Sequence, residues 1–261
     1  MINLFEKFEG FIIDLDGVIY LDKKIIPHSK KFIKYLIKAE KKYIFLTNDS
    51  TLSPDEYSKI LSEQGIPCNL DQIMTPITNL LEMIKNKKIQ NKDIMVFSST
   101  KLKNYLKSLG INIIEDNNKF KKIKTIIVSG NLEFNYDDLM YASLCVQNGA
   151  KLLATSTDNT YPRKIGNVPA TGSIIAAIQK THPVSAINLG KPSKSIFNLA
   201  KKKLNIKRQD ILTVGDNLNT DILGSNLSKL KSCLVLTGKT NLATAKKSKI
   251  KSDYILNNLK I

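Results

Sequence analysis

The sequence predicts an α/β chain organised around a mostly parallel sheet. Short apolar runs alternate with amphipathic helical segments along its length. The runs, such as Phe11-Ile12-Ile13 and Thr125-Ile126-Ile127-Val128, are strand-sized and end in polar residues. Composition agrees, with 42% hydrophobic and 24% charged residues, close to the globular average.

Each element has its own signal. Residues 10–15 read as the first strand. A helix over 29–40 follows from Phe32, Ile33, Leu36 and Ile37, spaced to share one face. Residues 43–46 read as a second strand. The next helix opens on Ser53-Pro54-Asp55-Glu56, where Ser53 can cap, Pro54 suits the first turn and Glu56 completes a capping box, and it stops near Gly65. The middle of the chain repeats the logic: strands at 94–97, 125–128 and 151–155, and helices at 100–109 and 136–148, each closed by a glycine. Residues 156–171, with Pro162, Gly166 and Pro169, read as irregular, and 173–180 as helix. The last third offers strands at 186–189, 211–214, 233–236 and 254–256.

Several function classes recede on composition. A chain of 261 residues makes one large domain or two modest ones. No apolar stretch approaches the roughly 18 residues of a membrane span, and the opening MINLFEKFEG lacks the marks of a secretory leader. Three widely spaced cysteines, with no CxxC pair, exclude a zinc ribbon or thioredoxin-type site and suit reduced thiols in the cytoplasm. The only histidines are His28, expected to be exposed in a loop, and His182, expected to be a loop residue. Chemistry is thereby pushed towards carboxylates and lysine. The net charge of +17 invites nucleic acid or an anionic membrane surface. However, only Arg163 and Arg208 are arginines, and the lysines spread along the whole chain. A solvated lysine surface from composition bias fits better than a nucleic-acid groove, which favours arginine.

In open α/β sheets, ligands bind at the carboxyl ends of the strands. Four strand ends here carry polar clusters: Asp14, Asp16 and Gly17; Thr47, Asn48 and Asp49; Gly190, Lys191 and Pro192; and Gly215, Asp216 and Asn217, with Asp221 on the next turn. Converging carboxylates repel one another and desolvate badly unless a cation compensates them. With oxygen ligands and no nearby His or Cys, Mg²⁺ is the natural candidate. Lys191, Thr47 and backbone amides around Gly17 and Asn48 add donors suited to a phosphoryl group. One carboxylate can act as nucleophile and a second as general acid and base.

These four clusters, in this order, resemble the motifs of the haloacid dehalogenase superfamily. The runs Leu46-Thr47-Asn48, Gly190-Lys191-Pro192-Ser193 and Gly215 to Asp221 are most similar to the class IIA, NagD-like and nitrophenylphosphatase-like phosphatases. The resemblance implies a doubly wound, Rossmann-like core of residues 1–78 and 186–261, with an α/β cap inserted at 79–185. It implies Asp14 as nucleophile and metal ligand, Asp16 as general acid/base and metal ligand through its carbonyl, and Lys191 as the cation neutralising Asp14 and phosphoryl oxygens. Thr47 and Asn48 would hold phosphate, Asp216 would bind Mg²⁺, and Asp221 would support it. Asp158, in the Ser156-Thr157-Asp158-Asn159 loop of the cap, would face substrate; relatives carry Asn where Ser156 stands. Asp49 stands where relatives carry Asn and is not expected to touch phosphate.

The resulting expectation is a cytoplasmic, Mg²⁺-dependent phosphomonoester hydrolase. It would act on a small phosphorylated metabolite, a nucleoside monophosphate or sugar phosphate for example, through an aspartyl-phosphate. No specific nucleic acid or membrane partner is expected, and the resemblance allows a cap-mediated homodimer. Two alternatives stand beside this: a phospho-accepting regulatory module of receiver type, and a basic nucleic-acid-binding protein. Gly238-Lys239-Thr240 has the look of a P-loop, but Cys233 stands where that motif needs glycine, so no ATP site is expected there.

Overall fold

The computed structural model describes residues 4–21, 24–163 and 165–261. Residues 1–3 of the stretch read for a leader, and Lys164 of the stretch read as irregular, lie outside them, as do the side chains of residues 162 and 163.

The chain opens with a 3-10 turn at Leu4–Lys7, then β1 (Gly10–Ile13), β2 (Tyr20–Leu21), β3 (Lys24–Ile25), α1 (Ser29–Lys38), β4 (Lys42–Leu46), α2 (Pro54–Glu63) and β5 (Ile73–Met74). There follow α3 (Pro76–Lys85), β6 (Ile94–Phe97), α4 (Thr100–Ser108), β7 (Thr125–Val128), α5 (Tyr136–Gln147), β8 (Lys151–Ala154), β9 (Thr160–Arg163), β10 (Gly166–Pro169), α6 (Thr171–Thr181) and β11 (Ile187–Asn188). The C-terminal part holds α7 (Lys194–Leu204), β12 (Ile211–Gly215), a π-helical turn (Leu218–Ile222), α8 (Leu223–Leu227), β13 (Lys231–Val235), α9 (Leu242–Lys247) and β14 (Tyr254–Leu256).

The chain forms two compact units. The first comprises Met1–Thr47, Pro54–Thr75 and Lys191–Ile261, and the second Asn48–Ser53 and Pro76–Gly190. The first is built on a six-stranded sheet ordered β14-β13-β12-β1-β4-β5, parallel throughout. From β1 the chain winds outward to β4 and β5, then returns on the other side through β12, β13 and β14. The β1/β12 boundary is therefore the point where strand order reverses, the position that gathers ligands in this architecture. One face packs Ile12, Ile44, Leu46 and Ile211 against Ile196, Phe197 and Ala200 of α7. The other buries Phe11 under Phe5 and Phe32, whose ring centroids lie 4.6 Å apart. Each such fully buried side chain contributes roughly 1.5–3 kcal/mol.

β1 stops at Ile13, two residues before the sequence suggested. The Leu15 carbonyl accepts from the amides of Val18, Ile19 and Tyr20, curling the chain into a tight turn. Gly17 occupies that turn at φ 76°, a conformation costly for side chains with a Cβ.

The second unit carries a four-stranded parallel sheet ordered β11-β8-β7-β6. Its strands are apolar on both faces. Ile94, Val96, Ile127 and Leu153 face α3 and α4, while Met95, Phe97, Ile126, Val128 and Leu152 face α5 and α6. The strand read at 186–189 is the short β11, and it pairs with β8. It lies in the second unit, which extends to Gly190, rather than opening the C-terminal segment of the core. The stretch read as irregular contains an antiparallel ribbon of β9 and β10. Its prolines were read as breakers, but a two-stranded ribbon tolerates proline wherever the missing N–H faces outward. Among the described residues, no helix is long and apolar enough to cross a membrane.

Candidate active site

Parallel pairing brings the first polar clusters together. Ile13 sits beside Val214 of β12 on one side and Phe45 of β4 on the other. Asp14, Thr47 and Asp216 consequently leave the same edge of the sheet, and the Asp14 amide still donates to the Val214 carbonyl at 2.9 Å. Thr47 is buried. Asp221 hangs from the π-helical turn after β12, a local widening of the helix often found at functional sites.

Asp14, Asp216 and Asp221 are buried, and each offers an oxygen within 4.8 Å of the others. Lys191, only 2% exposed, spans two of them, with its Nζ 2.6 Å from Asp14 Oδ1 and 2.7 Å from Asp221 Oδ1. The Leu15 amide also donates to Asp14 Oδ1 at 2.8 Å, leaving Oδ2 outside both bonds. Asp221 Oδ2 accepts from the Asn217 amide at 3.1 Å and the Thr220 hydroxyl at 3.4 Å. Asp216 Oδ2 accepts from the Lys239 amide.

The electrostatics follow from this crowding. Burial, and then the Asp221 charge, push the Asp14 carboxyl well above its ordinary range, against the pull of Lys191. Burial and Asp221 push Asp216 up to about 7. Burial pulls the Lys191 ammonium down, but Asp14 and Asp221 together outweigh it, so its pKa rises. One ammonium against three carboxylates leaves an excess of negative charge in a buried place. An oxygen-only donor set of this size, with two members driven towards protonation, fits a hard divalent cation such as Mg²⁺.

The other expected residues lie as follows. Asp16 is exposed in the turn after β1 and bridges to Tyr20. Asn48 and Asp158 meet in the second unit, where the Asn48 side-chain Nδ2 donates to Asp158 Oδ2 at 3.2 Å. The Ser156 hydroxyl donates to the same oxygen at 2.7 Å and accepts from the Asp158 backbone amide at 3.0 Å. The loop is also anchored by its backbone. The Gly172 and Ala170 amides donate to the carbonyls of Asp158 and Asn159, and a Cβ at Gly172 would stand 2.5 Å from the Thr157 carbonyl. Asp49 accepts from the Thr51 amide at 2.8 Å, closing a local turn. His28 departs from its expected exposure: it is half-buried, ahead of α1, at φ 75°. His182 is exposed at the end of α6.

Sequence reasoning missed the segment after β13. Its Gly238-Lys239-Thr240 run lies against Asp216. A Cβ on Gly238 would collide with the Asp216 carboxylate and stand 2.7 Å from Gly17 Cα, and a Cβ on Gly215 would collide with Asp221. The available signal was positional: these residues, too, follow a parallel strand.

Comparison with known proteins points to one family. The model of haloacid dehalogenase-like hydrolases matches residues 11–112, and a HAD-hydrolase-like model matches residues 188–260. An acid sugar phosphatase of Staphylococcus saprophyticus is 27% identical over 254 residues, covering 97% of this chain and 96% of the relative. The crystal structure of a 4-nitrophenylphosphatase from Thermotoga maritima superposes with a TM-score of 0.87 at 29% identity, covering 98% of this chain and 97% of that one. NagD from E. coli K-12 superposes with a TM-score of 0.84 at 25% identity, covering 97% of each chain. Strand-end carboxylates gathered around one lysine, and this likeness along almost the whole chain, lead to one assignment: the chain belongs to the haloacid dehalogenase-like hydrolases, among the NagD-like phosphatases.

Proposed function

We propose that this phosphatase hydrolyses small phosphomonoesters in a Mg²⁺-dependent reaction through an aspartyl-phosphate on Asp14. The observation that carries the reading is the buried grouping of Asp14, Asp216 and Asp221 around Lys191. Asp14, Asp216 and Asp221, with the Asp16 carbonyl, are the residues that would hold Mg²⁺. The ion supplies positive charge that neutralises both carboxylates and phosphoryl oxygens.

Asp14 Oδ2 attacks phosphorus while the bond to the leaving oxygen breaks. Asp16, exposed two residues on, gives that oxygen its proton. In the second half, Asp16 takes a proton from water, which attacks phosphorus and releases Asp14 with inorganic phosphate. Lys191 favours the ionised form of Asp14 and faces the negative charge that develops on the phosphoryl group. The Thr47 hydroxyl holds a phosphoryl oxygen, and the substrate-recognition role implied for Asn48 and Asp158 is part of the same proposal. Sugar phosphates lead the substrate classes, on the name of the staphylococcal relative; nucleoside monophosphates follow.

A panel of sugar phosphates, nucleoside monophosphates and p-nitrophenyl phosphate, assayed for phosphate release with Mg²⁺ and with EDTA, tests this. Turnover should require Mg²⁺, and Asp14→Asn should abolish it while the circular dichroism spectrum stays unchanged. Robust turnover by Asp14→Asn would defeat the mechanism.

A further inference from the structure

We propose that the Thr237-Gly238 turn after β13 is a positioning device for Asp216 and for the Asp16–Gly17 turn, and that it thereby sets the affinity for Mg²⁺. The inference rests on the Mg²⁺ reading above.

The turn is pinned to both loops that border the β1/β12 boundary. Towards β1, the Thr237 hydroxyl donates to the Gly17 carbonyl at 2.6 Å. Towards β12, the Lys239 amide donates to Asp216 Oδ2, and the Thr240 amide donates to the Asp216 carbonyl at 3.2 Å. Gly238 lies between them, so close that a Cβ there would overlap the Asp216 carboxylate and press on Gly17. One carboxylate oxygen of Asp216 is thus fixed by a backbone donor, which sets the direction of the other. Partners that orient a metal's ligands without touching the metal govern its affinity through this kind of constraint. The Gly17 carbonyl is held as well, so Asp16, the preceding residue, is fixed along with it. Because the donor to Asp216 is main chain, no side-chain change at Lys239 removes it. The Thr237 hydroxyl is the removable anchor of the turn.

Thr237→Val keeps the shape of the side chain and deletes the donor, whereas Thr237→Ser restores it. Mg²⁺ binding to each protein is measured by isothermal titration calorimetry without substrate, together with the Mg²⁺ concentration giving half-maximal turnover. Thr237→Val should raise the Mg²⁺ Kd by about tenfold or more, while its melting temperature in EDTA stays near that of the parent. Thr237→Ser should return the Kd to within about twofold. If Val packs poorly and lowers that melting temperature, Thr237→Ala removes the same hydroxyl without added strain and is read identically. A parent-like Mg²⁺ Kd in the Val and Ala variants reduces the turn to a structural brace and overturns the inference alone. A parent protein that binds no Mg²⁺ overturns the Mg²⁺ reading and this inference with it.

Discussion

Asp216 ties stability to pH at the scale of a single residue. Its ordinary pKa of 3.8 is pushed up to about 7 by burial and by Asp221. Between those pH values the folded, metal-free protein keeps a proton that the unfolded chain has released, so stability falls as pH rises through the window. In EDTA, the melting temperature should therefore be lower at pH 8 than at pH 5.5. Added Mg²⁺ should raise it more at pH 8, where protons compete less for Asp216. Thermal melts at both pH values check this, and an EDTA melting temperature that climbs from pH 5.5 to 8 would refute it. Gly215 gives a second residue-level expectation. A Cβ there meets Asp221, so Gly215→Ala should destabilise by about 1–3 kcal/mol and displace Asp221 from Lys191. Urea unfolding and phosphate-release assays should both register the loss. Asp14 was legible in the sequence because it follows an apolar run directly, and Lys191 and Asp216 because a single glycine separates each from a strand-like run. Gly238 was not, because its importance is an overlap with atoms more than twenty residues away, and no local pattern records that.

At the scale of elements, helix ends and buried thiols make separable claims. The Ser99 hydroxyl accepts from the Leu102 amide at the start of α4, so Ser99→Ala should cost about 1 kcal/mol, measured by urea unfolding, with turnover unaffected. Cys145 in α5 and Cys233 in β13 are buried, and burial pushes both thiols up to about 12. Cys68 is half-buried, ahead of the Leu70–Gln72 turn. Iodoacetamide at pH 8 should therefore label the native protein at Cys68 only, with Cys145 and Cys233 reacting after denaturation. Peptide mapping reads the sites; native labelling of Cys233 would contradict its burial within the sheet. Unbroken apolar runs and one long helix were legible: strands at 94–97 and 125–128 and helix α5 fall within a residue of expectation. The β9–β10 ribbon and the two-residue strands β2, β3 and β5 were not. Their pairing comes from neighbours distant in sequence or from turn geometry, and none of them forms an unbroken apolar run long enough to announce it.

At the scale of the molecule, the charge of +17 remains the feature most open to misreading. Its lysines lie mostly on exposed positions of both units. A diffuse field of this kind attracts polyanions weakly and is screened over about 8 Å at physiological ionic strength. Duplex DNA should therefore give no gel shift at physiological salt; a tight complex with a steep salt dependence would restore the nucleic-acid reading. The lifetime of the phosphoenzyme separates hydrolase from receiver-type module: rapid release of inorganic phosphate fits the family, while a phosphoenzyme stable for minutes would not.

By itself, the sequence determined the α/β class, the polar residues at strand ends and the family resemblance. Those depend on short-range hydrophobic period and on motifs written contiguously. Only the tertiary structure decided that Lys191 bridges Asp14 and Asp221, that β11 joins the second unit's sheet, and that the Thr237-Gly238 turn braces Asp216. Each of these is a distance between residues far apart in the chain, fixed by strand order and register, and no local stretch of sequence carries it.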